Sequence, residues 1–115
     1  MSSSPVAVSI DAAVREAEDL MIDAGVRHLP VMEDGQLVGV VSDRDLASGA
    51  GDLVRDVCSI DVYTVKPGAK LDAVLDEMAE RRLGCAVVTK RSKVVGIFTA
   101  TDACRAFARY LRKRS

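Results

Sequence analysis

Leu37-Val-Gly-Val-Val-Ser-Asp-Arg-Asp45 and Val94-Val-Gly-Ile-Phe-Thr-Ala-Thr-Asp102 are one stretch written twice. Gly39 falls on Gly96 and Asp45 on Asp102, each 57 residues apart. Carried backwards without a gap, the same spacing sets Val38 on Val95, Val31 on Val88, Met21 on Met78, Val14 on Leu71 and Val8 on Val65. Few pairs are identical, but apolar stands on apolar and polar on polar. A gap-free match over roughly forty residues marks an internal duplication, and a duplication decides the architecture.

Each copy predicts strand, helix, strand, strand, helix. In the first, Val6 to Val8 reads as a short strand and Asp11 as an N-cap. Val14, Ala17, Leu20, Met21 and Ala24 then recur at helical spacing until Gly25 closes the helix. Leu29 to Met32 and Leu37 to Val41 are strands around Glu33-Asp34-Gly35, a hairpin turn in which Gly35 takes positive φ. In the second copy, Pro67-Gly68 precedes a helix with Leu71, Val74, Leu75, Met78 and Leu83 on its apolar face. Strands Ala86 to Thr89 and Val94 to Phe98 follow, and a last helix runs from Ala100 to Leu111. Ser48-Gly-Ala-Gly51 divides the copies into 1–50 and 51–115, and Asp52 to Val57 reads as a short helix introducing the second. By the same spacing, the introducing helix of the first copy would fall before Met1. One copy buries too little apolar surface to stand alone. The expected fold is therefore α+β (α/β): two β-α-β-β-α repeats packed sheet to sheet with pseudo-twofold symmetry.

Composition narrows the function. Hydrophobic residues make up 49% and charged residues 29%, an ordinary globular balance. A net charge of −1 supplies no bulk attraction to nucleic acid or an anionic membrane. No apolar run approaches the roughly 20 residues of a membrane span. Met-Ser-Ser-Ser-Pro carries no signal peptide, so the expected address is cytoplasmic. The cysteines, Cys58, Cys85 and Cys104, are odd in number and lack a C-x-x-C, which argues against a disulfide framework or a zinc site. Each has apolar neighbours and is expected as a buried, inert thiol. His28 is the one histidine, thin material for metal chemistry or a triad. No activated nucleophile or Walker loop is visible, so no enzyme is expected. Glu16, Glu18, Asp19 and Asp23 read as a solvated helix face. Arg105, Arg109, Arg112, Lys113 and Arg114 complement the end of a helix dipole, and Arg109 and Arg112 also stand where a bound phosphate or a dimer mate could meet them. With 3% aromatic residues, nothing interleaves this basic tail for nucleic acid.

The residues with chemistry are Gly39…Ser42…Asp45 and Gly96…Thr99…Asp102, each where a strand enters a helix. As a capping box, the hydroxyl accepts from the amide three residues on, and the acid favours the helix N-terminus. As a ligand site, the free N–H groups suit phosphate and the hydroxyl adds a donor. The carboxylate would accept from two vicinal ribose hydroxyls, and the glycines would admit a ligand close to the strand. The residues alone leave both readings open.

Pro5-Val-Ala-Val-Ser9, Val14-Arg-Glu-Ala17, Arg27-His-Leu-Pro-Val31 and Asp34-Gly-Gln-Leu-Val-Gly-Val-Val-Ser-Asp-Arg-Asp-Leu46, in that order, resemble a cystathionine-β-synthase-type (CBS) domain. The second copy, ending in Gly96-Ile-Phe-Thr-Ala-Thr-Asp102, is similar but more divergent. The resemblance implies a tandem pair, or Bateman module, with two clefts that take AMP, ADP, ATP or S-adenosylmethionine. It implies a homodimer and a regulated partner protein. It also implies one cleft of Thr99, Thr101 and Asp102 with Ser4 and Val6 beside the base, then Val26, Arg27 and His28. The other would join Ser42, Arg44 and Asp45 to Asp61, Tyr63, Leu83, Gly84 and Cys85. Gly84-Cys85 stand where the first copy has Arg27-His28, and Val87 stands where it has Pro30. The clefts are therefore not equivalent, and the Asp102 cleft is the better nucleotide candidate. A ligand-free module for dimerisation or protein interaction is the alternative.

Overall fold

The computed structural model describes residues 6–114, in which two three-stranded sheets repeat one topology. The first half is β1 (Val8–Ser9), α1 (Val14–Ala24), β2 (His28–Glu33), β3 (Gln36–Ser42) and α2 (Asp43–Leu46). After α3 (Val54–Val57) come β4 (Thr64–Val65), α4 (Leu71–Arg81), β5 (Cys85–Lys90), β6 (Lys93–Thr99) and α5 (Ala100–Arg114). β1 runs parallel to β2, and β2 antiparallel to β3; β4, β5 and β6 do the same. A parallel pair needs a crossover, which α1 and α4 supply. Even the irregularities repeat: the register slips between Val31 and Met32, and again between Val88 and Thr89. β3 and β6 meet where the halves pack together.

Local chemistry explains the boundaries. α1 ends at Gly25 in the left-handed region (φ 68°), and the Val26 N–H bonds back to the Met21 carbonyl at 3.0 Å. α4 ends the same way at Arg82 (φ 56°), with the Leu83 N–H on the Met78 carbonyl at 2.9 Å. Leu83 thus lies beyond the helix, not on it, yet it packs against the second core. The β2–β3 hairpin turns through Asp34 (φ 51°) and Gly35 (φ 77°), a two-residue turn with both angles positive. The first strand is shifted from the expected Val6 to Val8. Asp11 does not cap α1. Ala13 takes the N-cap position and its N–H donates to Glu16 Oε1 at 3.4 Å, whereas Asp11 pairs with Arg55 at 2.8 Å.

The core is uneven. In the first half Val8, Ile10, Ala12, Ala17, Met21, Leu29, Val31, Val41 and Leu46 form one buried cluster. Val54 of α3 joins it, held by bonds from the Val54 and Arg55 amides to the Ala12 and Ile10 carbonyls, both 2.9 Å. The helix expected to introduce the second copy is thus packed on the first. The second cluster is smaller: Val74, Met78 and Ala86, with Tyr63, Val65, Leu83 and Phe98 partly covered. No residue of α5 is buried. This corrects the expectation for the cysteines: Cys85 is buried, Cys58 half-buried and Cys104 exposed, because Cys104 stands on α5, a helix with no fully buried residue. Among the described residues no helix is long and apolar enough to cross a membrane.

Candidate functional site

Each sheet delivers its last strand into a helix at the duplicated motif, and both capping boxes are closed. The Asp45 amide donates to Ser42 Oγ at 3.1 Å and the Ser42 amide to Asp45 Oδ2 at 2.9 Å. The Asp102 amide donates to Thr99 Oγ1 at 3.1 Å and the Thr99 amide to Asp102 Oδ2 at 2.8 Å. The boxes use one oxygen of each carboxylate. Oδ1 of Asp45 and Asp102 and both hydroxyl protons are left out of them, so capping and ligand contact are compatible. A further matched pair of bonds sets the approach of the middle strands: Asp43 N–H to the Arg27 carbonyl and Ala100 N–H to the Gly84 carbonyl, both 2.9 Å.

Two clefts form between the halves. The Asp102 cleft, about 550 Å³, brings Val26, Arg27 and His28 to Thr99, Thr101 and Asp102. The Asp45 cleft, about 190 Å³, brings Ser42 and Asp45 to Asp61, Tyr63, Leu83, Gly84 and Cys85. Val6 packs against the first core and Arg44 is exposed on α2; neither is among the residues lining these clefts. Ser4 lies outside the described residues. Arg105 also lines the Asp102 cleft and Arg82 the Asp45 cleft, both unforeseen. Arg105 was discoverable, since it follows Asp102 by three positions on one helix face. His28 and Gly84 line both clefts. No pattern in the sequence signals that, because it depends on how the halves meet.

Gly39, expected to admit a ligand, gives its space to the connecting chain. A Cβ there would lie 2.7 Å from the Ser59 carbonyl oxygen, because the connecting chain pairs with β3 through reciprocal Val40–Ser59 bonds of 2.9 Å. At Gly84 a Cβ would lie 2.8 Å from His28 Nε2, so the imidazole rests on bare backbone. Burial lowers the His28 pKa from 6.5, outweighing the opposing pull of Asp43 and Asp45. Burial pushes the Cys85 thiol up to about 11. Asp61, unwelcome beside an anion, is engaged by Arg81 at 3.1 Å, whose guanidinium also lies 5.3 Å from the Tyr63 ring centre. Among the described residues no group of three or more His, Cys, Asp or Glu is placed to hold a metal.

Repeated topology, matched capping boxes and two interfacial clefts define a tandem two-repeat module. The CBS domain family model matches residues 1–51 and 54–109, and the chain belongs to that family. It is 31% identical to inosine-5'-monophosphate dehydrogenase of Nitrosopumilus maritimus over 89% of its length, but spans only 22% of that protein. The crystallised CBS domain pair of protein MJ0100, in complex with 5'-methylthioadenosine and S-adenosyl-L-methionine, superposes with a TM-score of 0.88 at 25% identity, covering 94% of this chain and 91% of that one. CBSX2 in complex with AMP superposes at 0.78 with 26% identity, over 93% and 90% of the two chains.

Proposed function

We propose that this chain is a ligand-sensing regulatory module, not an enzyme, which binds an adenosyl ligand (AMP, ADP, ATP or S-adenosylmethionine) between its repeats. The observation that carries this reading is the Asp102 cleft. It sets Thr99, Thr101 and Asp102 of one repeat against Arg27 and His28 of the other, with Arg105 beside them. Its volume lies inside the roughly 300–1,000 Å³ typical of small-molecule sites. Asp102 Oδ1 would accept from the ribose hydroxyls, and the start of α5 with Thr99 and Thr101 would meet phosphate. Arg27 and Arg105 would neutralise it. Val26 and Ile97 give the base an apolar wall. The adenosyl ligands of MJ0100 and CBSX2 support the class.

Because the ligand would touch both repeats, it would favour the arrangement in which they best close on it, and that population shift is the signal. A regulated partner protein would read it from a cytoplasmic homodimer. The dimer reading rests on a groove of about 530 Å³ along α4 and α5, lined by Leu71, Leu75, Phe98, Phe107 and Tyr110 among others. The same groove favours the second reading, a ligand-free interaction module.

The test is calorimetry and thermal shift with AMP, ADP, ATP and S-adenosylmethionine. At about 100 times its dissociation constant a ligand should raise the melting point by roughly 10 °C. Asp102→Ala should weaken the responding ligand about tenfold or more. Flat titrations with all four would leave the interaction module as the function.

A further inference from the structure

The two clefts differ nearly threefold in volume although the repeats that frame them match in topology and register. The Asp45 cleft has the chemistry of its twin: a closed Ser42–Asp45 box with Oδ1 to offer, the Tyr63 ring, and Arg82 at its wall. At about 190 Å³ it falls below the roughly 300 Å³ at which small-molecule sites begin. Its wall includes the connecting segment Ser59, Asp61, Val62 and Tyr63, together with a partition that it shares with its twin. His28 and Gly84 are the residues common to both linings, and Gly84 contributes backbone only. The side-chain matter of the partition is therefore the His28 imidazole, lying across the junction with Nε2 against Gly84. The position matching His28 is Cys85, whose small buried side chain lines the Asp45 cleft and is not among the residues of the other. From the matching strand of the second repeat only the Gly84 backbone reaches the Asp102 cleft, and no side chain there answers His28.

We propose that the His28 imidazole closes the Asp45 cleft to nucleotides and so limits the module to one nucleotide per chain, bound in the Asp102 cleft. This rests on the nucleotide reading of the clefts given above. The plug is steric, and Gly84 makes room for it: a side chain at residue 84 would force the imidazole away. Removing the imidazole joins the two spaces and exposes Asp45, Tyr63 and Arg82 to a second ligand.

Calorimetric titration of the full chain with AMP tests it. The wild type should bind one AMP per chain. Asp102→Asn should abolish that binding, while Asp45→Asn should leave it. His28→Ala, and independently His28→Ser, should bind two AMP per chain, and adding Asp45→Asn to either should return the count to one. Two AMP on the wild type would overturn the proposal, as would loss of the single site in Asp45→Asn. A count of one in both His28 variants, each shown folded by a cooperative melt and each losing that one site on adding Asp102→Asn, would overturn it too. No AMP bound by any form would instead remove the nucleotide reading itself, and this inference with it.

Discussion

Gly39 and His28 carry two residue-level expectations. Gly39→Ala puts a methyl group 2.7 Å from the carbonyl oxygen of Ser59, a residue held to Val40 by two 2.9 Å backbone bonds, so neither side yields easily. It should lose about 1–3 kcal/mol, read as a lower urea midpoint with an unchanged m-value. A much smaller loss would mean that the connection between the halves is slack. His28 titrates lower in the folded chain than at 6.5, so at pH values between the two the unfolded chain binds more protons. Its contribution therefore falls as pH drops from neutral through 6.5 and levels off below the lowered native value. His28→Gln should flatten that part of the stability profile, measured by urea midpoints at small pH steps. An unchanged slope would show that the imidazole is as well solvated folded as unfolded. Asp102 shows why residue chemistry left its role open: one carboxylate oxygen caps the helix and the other lies outside the cap, and a sequence motif does not say how oxygens are shared.

Among the elements, the two hairpins form a controlled comparison. The first turns through Asp34-Gly35, which tolerate positive φ; the second forces Arg91 (φ 54°) and Ser92 (φ 66°) into the same region. Left-handed backbone is costly for a residue with a Cβ. Ser92→Gly should therefore stabilise the chain by about 0.5–1 kcal/mol, seen as a higher melting temperature. No gain would mean that Ser92 is already compensated. Helices were legible from their periodicity and their stop signals, and Gly25 ended α1 where expected. Boundaries set by tertiary bonds were not. β1 is two residues long because it extends only as far as its pairing with Val31 and Met32. Asp11 pairs with Arg55, far along the chain, and leaves the N-cap position to Ala13.

At the scale of the molecule, α5 presents an exposed apolar surface. Phe107, Tyr110 and Leu111 are 59%, 53% and 52% exposed on a 15-residue helix that buries none of its residues. In a homodimer that uses this face, Phe107→Glu should shift the chain to monomer in sedimentation equilibrium, with the repeats still folded. A wild type that is monomeric at high concentration would remove the dimer from the proposal.

The duplication, the order of the elements and the two Ser/Thr-x-x-Asp boxes were written in the chain, because they are local patterns repeated 57 residues apart. Only the packed structure decided that α3 joins the first core, that Gly39 yields to the Ser59 backbone, and that His28 stands in both clefts. The physical reason is that a repeated sequence specifies two similar halves, whereas what happens between them depends on the few positions where the repeats differ. An imidazole opposite a bare glycine is such a difference, and its consequence exists only once the two halves are in contact.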